Sequence, residues 1–329
     1  MNTQKDIARA AGVSLKTVSR VMNGEEGVKP ATREKVRRLM REMGYQPSVA
    51  AQLMRTKQSD IVGFIADRVA TSFSSIDLIR GAQDMAWELG RRMMLLSTQG
   101  TARDEYLAEA ELAQFRAGAA IYATISHQAV RLDPAPRRRI LLNCFDPETP
   151  SLAFVPDDYQ MARDLTRTIF ERGYRRPFFL NLSEDHVAAK LRRDGFIDEA
   201  RACGLEVADR VLEGTVAVDG GHRQCVDDVL PPLLSDKERP DLVLCGQDQM
   251  AMQVYAQLWR AGLEVGRDVG VASFDNQEPI AANLTPGLST MALPYYEMGR
   301  QAMVAACAAS DGAPEIVRIP GTLQDRASF

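Results

Sequence analysis

Basic and polar side chains near the N-terminus have the types and the spacing that DNA binding requires. Val18, Val21 and Met22 follow an i, i+3, i+4 pattern, which predicts the buried side of a helix. The first turns of that helix would direct the neighbouring side chains outward: Leu15, Lys16, Thr17, Ser19 and Arg20. Because Arg and Lys donate hydrogen bonds to the acceptors of guanine, such a helix can read base edges in the major groove.

Capping residues predict the elements that would position this helix. Thr3 and Asp6 have the spacing of a capping box, so a first helix should begin after Thr3. Gly12 can end it in a left-handed turn, and Ser14 is a favoured N-cap for the second helix. Two helices joined by a tight turn of this kind form a helix-turn-helix.

A third helix is expected from Pro30 to the glycine at position 44. Proline is favoured in the first turn of a helix, and glycine directly after the last turn. Its apolar stripe would consist of Val36, Leu39, Met40 and Met43. Three short helices with one shared core predict a DNA-binding domain over residues 1–46, here called the head.

The charge distribution also separates the N-terminal region from the rest of the chain. Residues 1–58 carry a net charge of +7, whereas the remainder carries -11, within a total of -4. A basic segment on an acidic protein indicates that this segment alone meets a polyanion. The net charge alone leaves an alternative, which is a chance fluctuation in the composition of a short segment.

Beyond residue 60, short β-rich runs alternate with amphipathic helices. Strands are predicted at 61–66, 93–97, 119–123, 140–143, 177–181, 241–245 and 269–274. Helices are predicted at 77–90, 103–115, 158–172, 186–203, 248–261 and 295–309. This alternation predicts parallel sheets covered by helices, and the length of the segment is sufficient for two of them.

Composition excludes several other classes of protein. With 45% hydrophobic and 26% charged residues, the chain should fold as an ordinary soluble protein. No apolar run approaches the roughly 20 residues that cross a bilayer, and the first residues do not resemble a signal peptide. The five cysteines and three histidines lack metal-ligand spacing, so we expect reduced thiols, no metal and no cofactor. A cytoplasmic location is expected.

The sequence resembles the LacI/GalR family of bacterial transcriptional regulators. The motifs V-S-x-x-T-V-S-R-V-x-N, T-R-x-K-V and G-Y-x-P occur in this order within the first 47 residues. The resemblance implies that Leu15 and Lys16 read bases and that Arg20 makes a further base contact. It places Thr17, Ser19 and Asn23 near the phosphate backbone, and Thr3 is assigned to the same DNA-binding set.

The resemblance also implies a hinge helix and linker over residues 47–59. In the family, paired hinge helices enter the minor groove, where a leucine wedges between base pairs and kinks the DNA. Leu53 stands at that position, although it could instead pack against its own domain. The family usually has Asn after the proline and Arg before this leucine region, and here Ser48 and Gln52 stand nearby instead.

Residues 60–329, here called the body, resemble periplasmic sugar-binding proteins. The resemblance implies an N-subdomain of about 60–157 and 291–318, and a C-subdomain of about 158–290 and 319–329. Ligands of open α/β sheets bind at the carboxyl ends of the strands, so an effector should bind between the subdomains. The candidate effector-binding residues are Ser72, Phe73, Asn143, Asp157, Arg192, Gln247 and Asp275.

The two charged candidates have chemistry that suits a polyhydroxylated ligand. The planar guanidinium of Arg192 can hold paired hydroxyls or a carboxylate, and Asp275 can accept from two hydroxyls. Arg192 could instead pair with Asp194 or another carboxylate, and Asp275 could be a turn residue. Phe73 could belong to the core.

These observations predict a ligand-responsive transcriptional regulator, and we expect a repressor. It should bind palindromic double-stranded operator DNA as a homodimer, without a membrane partner. The effector should be a sugar or a sugar acid, while a nucleobase stays possible because the family includes a purine-responsive member. A solute receptor and a hydrolase using Asp248 and Asp275 are the alternatives. The sequence has no catalytic motif, and Asp248 is expected to cap a helix.

Overall fold

The chain divides into two compact units, Met1–Ser59 and Asp60–Phe329. The computed structural model describes residues 3–22, 25–45, 59–71, 75–134, 136–218, 221–235, 239–309 and 313–329. Four of the predicted site residues lie outside these ranges: Asn23, Leu53, Ser72 and Phe73. Within the described residues, no helix combines the length and the apolar character that crossing a membrane requires.

Three helices form the head: α1 (Gln4–Ala11), α2 (Leu15–Met22) and α3 (Pro30–Glu42). Gly12 ends α1 with a φ of 66°, in the left-handed conformation that the sequence predicts. The shared core is small and aliphatic, with Ile7, Val18, Val21 and Val36 at its centre. This core holds α2 by one face and leaves its other face exposed.

The body contains two six-stranded sheets. The first has the order β13-β5-β4-β3-β1-β2, with all neighbours parallel, and the second has the order β14-β12-β11-β10-β6-β7. β14 alone is antiparallel to its neighbour in the second sheet. The strands are β1 (Ile61–Asp67), β2 (Arg92–Thr98), β3 (Ala119–Ala129), β4 (Arg138–Phe145), β5 (Ala153–Pro156), β6 (Pro177–Asn181), β7 (Val211–Glu213), β8 (Thr215–Val218), β9 (Gly221–Gln224), β10 (Leu242–Cys245), β11 (Gly270–Asp275), β12 (Ser289–Ala292), β13 (Ile316–Ile319) and β14 (Thr322–Gln324). β8 and β9 form a separate antiparallel hairpin.

Helices cover both faces of each sheet. They are α4 (Ile76–Glu88), α5 (Ala102–Gln114), α6 (Asp158–Glu171), α7 (Val187–Ala202), α8 (Val226–Leu234), α9 (Asp248–Arg260), α10 (Glu278–Ala281) and α11 (Tyr295–Cys307). Short 3-10 helices occur at Val69–Thr71 and Ala208–Arg210. Because both faces are covered, central strands such as β1 are buried along their whole length and read as continuous apolar runs.

The two sheets define the two subdomains of the body. The first sheet packs against α4 and α11 on one face and α5 on the other. The second packs against α6 and α7 on one face and α8 and α9 on the other. The chain passes between the sheets after β5, after β12 and after β13, so three segments join the subdomains.

The predicted fold class, a helical head with an α/β body of two parallel sheets, is confirmed. The sequence prediction missed seven short strands (β5, β7, β8, β9, β12, β13 and β14) and two helices, α8 and α10. Two prolines, Pro231 and Pro232, lie inside α8, and proline usually ends a helix. Its buried residues Val226 and Leu230 nevertheless hold one face of this helix against the second sheet.

Candidate functional site

The N-terminal end of α2 is fixed by two hydroxyl side chains. The backbone N–H of Thr17 donates to Ser14 Oγ at 3.1 Å, and the two hydroxyl oxygens lie 2.9 Å apart. Ser14 is therefore the N-cap that the sequence predicts. Thr3 caps α1 in the same manner, since its hydroxyl accepts from the Asp6 backbone N–H, and the Thr3 backbone N–H donates in return to the Asp6 carboxylate.

The exposed face of α2 brings together five of the predicted DNA-binding side chains. Leu15 is 44% exposed, Lys16 is exposed, and Thr17 and Ser19 are partly exposed. The Arg20 side chain is 43% exposed, and its Nε lies 3.7 Å from the Glu25 carboxylate, a long contact that water can replace. This face therefore offers a basic surface with an apolar side chain at its start.

In the body, a buried ion pair lies at the carboxyl ends of the strands. Arg192 is on the inner face of α7 and Asp158 begins α6, and both side chains are at most 3% exposed. Arg192 Nε and Nη2 each lie 2.8 Å from Asp158 Oδ1. Arg192 Nη1 donates to the Gly246 carbonyl at 2.8 Å, and the guanidinium lies 4.5 Å from the centre of the Phe274 ring.

The second oxygen of Asp158 connects this ion pair to the first sheet. His127, near the end of β3, is 6% exposed and places Nδ1 2.8 Å from Asp158 Oδ2. Burial alone would raise the pKa of Asp158, but the Arg192 charge and the His127 contact outweigh it and hold this pKa below its usual value. The three side chains form a continuous polar chain from the first subdomain to the second.

Asp275 ends β11 beside this chain, in a backbone conformation with φ of 113° that non-glycine residues seldom adopt. Burial raises the pKa of Asp275 to about 7, against the opposing effect of Arg192 and with a further increase from Asp248. Gln277 Nε2 donates to Asp275 Oδ2 at 3.0 Å. Strained backbone of this kind is frequent at ligand-binding sites.

Asp248 does not have the capping role that the sequence analysis assigned to it. Gln247 is the N-cap residue of α9, and its carbonyl accepts from the N–H groups of Met250 and Ala251. Asp248 is the first residue of the helix and is fully buried, where it accepts from Thr290 Oγ1 at 2.8 Å and from the Gln277 N–H at 2.6 Å. Burial raises the pKa of Asp248 to about 6.

Asn143 faces the same region from the first sheet. It is fully buried in β4 with a φ of 60°, and its Nδ2 donates to the Thr124 carbonyl at 3.1 Å. Among the described residues, its Oδ1 has no hydrogen-bond partner. The neighbouring Tyr295 hydroxyl also contacts Asn143, and burial, Asp275 and Asp158 raise the pKa of this tyrosine. An unpaired buried carbonyl oxygen is a group that a bound ligand or water can satisfy.

The other predicted effector residues are placed differently. Asp157 caps α6 by accepting from the Gln160 N–H at 3.2 Å, so its carboxylate is already engaged. Gln247 is partly exposed at the carboxyl end of β10. The adjacent Arg193 is 30% exposed and pairs with Glu184 and Asp194 at the surface. The alternative that Arg192 pairs with a carboxylate of the protein is confirmed, and the partner is Asp158 rather than Asp194.

Sequence reasoning overlooked three members of this site: His127, Asp158 and Tyr295. A signal for Asp158 was present, since it shares the helical stripe of the buried α6 residues Met161, Ala162 and Leu165. Arg192 likewise lies on the buried stripe of α7. Opposite charges on the apolar stripes of two consecutive helices indicate a buried pair, because an unpaired charge there would be very costly.

The fold and these two sites define a class: a DNA-binding transcriptional regulator with a ligand-binding body. Residues 3–48 match the model of bacterial regulatory proteins of the lacI family, and residues 166–329 match a periplasmic binding protein-like domain. The sucrose operon repressor of Escherichia coli is 31% identical over 100% of both chains. The ribose operon repressor of E. coli strain K12 is 30% identical over 92% of this chain and 91% of its own. The chain therefore belongs to the LacI family.

Solved structures agree with this assignment. A protein from Rhizobium etli, described as a LacI-family transcriptional regulator, matches with a TM-score of 0.75 and 31% identity over 82% of this chain and 99% of its own. A lac repressor dimer bound to operator and the anti-inducer ONPF has the same fold, with a TM-score of 0.70 and 22% identity. That match covers 99% of this chain and 98% of the lac repressor chain.

Proposed function

We propose that this protein represses transcription from a palindromic operator in the cytoplasm and that a sugar or sugar derivative controls its affinity for DNA. The observation that carries the proposal is the buried chain of His127, Asp158 and Arg192, with Asp275 beside it. These groups lie at the carboxyl ends of strands in both sheets, where open α/β folds bind ligands. The names of the relatives, sucrose and ribose operon repressors, support the same effector class.

Recognition of the operator would use the exposed face of α2. Lys16 and Arg20 would donate to guanine acceptors, and Leu15 would contact the methyl group of thymine. Thr3, Thr17, Ser19 and Asn23 would lie near phosphates, which position the protein without reading the sequence. Leu53 would wedge into the minor groove from the hinge segment.

A palindromic operator requires two heads, so the active species would be a homodimer. The lac repressor structure, which is a dimer bound to operator, supports this arrangement for a chain of the same fold.

Control by the effector would work through a shift between two arrangements of the subdomains. The contact between His127 and Asp158 joins the first sheet to the second subdomain, so a ligand bound beside it would favour one arrangement. The ligand can shift the balance only as far as its affinities for the two arrangements differ. By reciprocity, operator DNA must change the affinity for the effector by the same factor.

A thermal-shift screen of the purified protein tests the effector class, since a ligand that binds the folded state raises its melting temperature. The panel would contain sugars, sugar acids, polyols and nucleobases. We expect a hit among the sugars that Asp275→Ala abolishes, and the same sugar should change operator affinity in fluorescence anisotropy. A hit confined to nucleobases would contradict the sugar assignment but leave the regulator intact.

An enzymatic role has a separate test. Asp248 is fully buried and Asp275 is half-buried, and burial raises the pKa values of both, a feature that hydrolases also use. The sugar that binds in the screen would be incubated with a stoichiometric amount of protein and then analysed by mass spectrometry. We expect the sugar to be unchanged. Any turnover would contradict the assignment as a pure binding protein.

A further inference from the structure

Charged side chains of both signs lie at the cleft. The ionisable side chains at this end of the sheets include two arginines and one histidine, against three carboxyl groups: Arg192, Arg326, His127, Asp158, Asp248 and Asp275. Arg192 opposes the effect of burial on the pKa values of Asp158 and Asp275, whereas Arg326 is the cation that acts on Asp248. The charge of a ligand placed among them therefore matters for its affinity.

Three of the N–H donors of the Arg192 guanidinium already form hydrogen bonds or an ion pair within the protein. An arginine that recognises a carboxylate or phosphate usually does so with two parallel N–H donors along one edge. Here the edge formed by Nε and Nη2 is occupied by Asp158 Oδ1, and Nη1 donates to the Gly246 carbonyl. The remaining N–H groups can still donate to neutral oxygen atoms, but the positive charge is balanced by Asp158.

The carboxyl group of Asp275 adds to this effect. Its pKa is raised to about 7 by burial, with a contribution from the nearby Asp248, so the site already resists a further negative charge. An anion placed beside Asp275 would be repelled by its carboxylate, whereas the hydroxyl groups of a ligand would donate hydrogen bonds to this carboxylate. The unpaired Oδ1 of Asn143 is a second acceptor for a hydroxyl donor.

We propose that the cleft selects an uncharged, polyhydroxylated effector over the carboxylate or phosphate derivative of the same compound, and that Asp158 sets this preference. The inference rests on the proposed effector site, and it narrows the ligand from sugars and sugar acids to neutral sugars. Asp158 acts through Arg192: it neutralises the guanidinium and turns it from an anion receptor into a donor for neutral oxygens.

Matched pairs of ligands test the preference on the full-length protein. Isothermal titration would compare ribose with ribonate and ribose 5-phosphate, and sucrose with sucrose 6-phosphate. We expect each neutral sugar that binds to do so at least roughly tenfold more tightly than its anionic partners, or about 1.4 kcal/mol. An anion that binds as tightly as its neutral partner, or more tightly, overturns the inference while the proposed sugar function stands.

Absence of binding by every sugar and derivative in the wider panel would instead defeat the proposed effector class, and the inference with it. Operator binding by the same preparation shows that the protein is folded and active. The two failures are therefore distinguishable: one reverses the ranking within a pair, and the other removes binding from all pairs.

A substitution identifies the residue responsible. Asp158→Asn removes the charge but keeps an acceptor for Arg192, so the guanidinium regains a net charge. We expect the ratio of anion affinity to neutral-sugar affinity to rise at least roughly tenfold. Asp164→Asn is the matched control, because it makes the same change on the same helix at a side chain that is 49% exposed and paired with Arg167.

The affinity ratio distinguishes this role from a merely structural one. A loss of stability in Asp158→Asn would lower the affinities for the neutral sugar and for its anionic derivative together. A restored net charge on Arg192 would instead change the affinity for the anion relative to that for the neutral sugar. If the affinity ratio of Asp158→Asn equals the ratios of wild type and Asp164→Asn, the proposed role of Asp158 is wrong. If the variant does not fold, the ranking of the matched pairs on the wild-type protein still decides whether the cleft prefers neutral ligands.

Discussion

The exposed face of α2 and the cleft of the body each contain an arginine, but the two arginines differ in exposure and in how closely they are paired. Arg20 is 43% exposed, with its nearest carboxylate 3.7 Å away. Arg192 is 3% exposed, with two nitrogens at 2.8 Å from one carboxylate oxygen and a third on a backbone carbonyl. The same side chain is therefore available to a partner in one place and neutralised in the other.

This difference follows from what each surface must bind. DNA is a polyanion, so an arginine that meets it gains most when its charge is free and its donors exchange easily with water. A small neutral ligand offers no charge to compensate a buried guanidinium, so that charge must be paired within the protein. The comparison predicts that substitutions of the two arginines affect different properties.

The largest expected effect is on stability, from Arg192→Ala. This change leaves Asp158 buried without its cation, and breaking a buried pair in this way should lower the free energy of unfolding by about 3–5 kcal/mol. Urea unfolding followed by circular dichroism measures the change. The effector response should be lost as well.

The adjacent Arg193→Ala is the matched control for this prediction. Arg193 pairs with Glu184 and Asp194 at the surface, and exposed pairs contribute about 0–1 kcal/mol. Equal destabilisation by the two substitutions would contradict the distinction between the buried and the exposed arginine.

The second prediction concerns DNA. Arg20→Ala should weaken binding to the specific operator by roughly 1–3 kcal/mol, or about 5- to 150-fold, while the stability of the head stays within about 0.5 kcal/mol of wild type. Fluorescence anisotropy with specific and scrambled operators measures both affinities. The loss should be concentrated on the specific sequence.

Arg38→Ala provides a control of nearly identical local geometry. Arg38 also lies 3.7 Å from a carboxylate, that of Glu42, and is 62% exposed, but it is on α3 rather than α2. We expect this variant to keep the discrimination between specific and scrambled operators. Comparable losses of discrimination in both variants would remove Arg20 from the base-reading set.

The third prediction uses the acids of the cleft. Burial raises the pKa of Asp275 to about 7 and that of Asp248 to about 6, from ordinary values near 3.8. Between pH 4 and pH 7 the folded protein therefore binds more protons than the unfolded chain, so these acids make the free energy of unfolding fall as the pH rises. Urea unfolding at each pH from 4 to 7 measures this decrease in the free energy of unfolding.

Two further measurements sharpen the pH prediction. Asp275→Asn should flatten the slope, because an amide does not titrate. A neutral sugar that donates hydroxyls to the Asp275 carboxylate favours its ionised form, so its affinity should increase from pH 6 to pH 8. A pH profile of stability that is the same in wild type and Asp275→Asn would contradict the raised pKa of this residue.

The two regions also differ in how far the sequence alone could predict them. In the head, each structural feature depends on neighbours in the chain: Ser14 caps the helix that starts at Leu15, and Val18 and Val21 share one face of it. Local spacing therefore predicted which side chains of α2 are exposed. The alternation of strands and helices predicted the two-sheet body for the same reason.

The cleft depends on pairings between distant residues, which periodicity does not encode. Asp158 is 34 residues from Arg192 and 31 from His127, and neither contact follows from local spacing. The resemblance to the family directed attention to Arg192 and Asp275 but not to the carboxylate that neutralises Arg192. What the sequence did contain was a charge on each of two apolar stripes, a signal that requires both helices to be considered together.

The smallest expected effect separates structure from recognition within the head itself. Ser14→Ala removes the N-cap of α2 and should destabilise the head by about 1 kcal/mol. Ser14→Asp retains a good cap and should leave stability near that of wild type, but it adds a negative charge at the end of the helix that approaches DNA. Operator affinity should therefore fall in Ser14→Asp without a loss of stability, most clearly at low salt. If the aspartate variant binds the operator as tightly as wild type, the start of α2 does not face the phosphates, and the base-reading assignment of Leu15 and Lys16 is wrong.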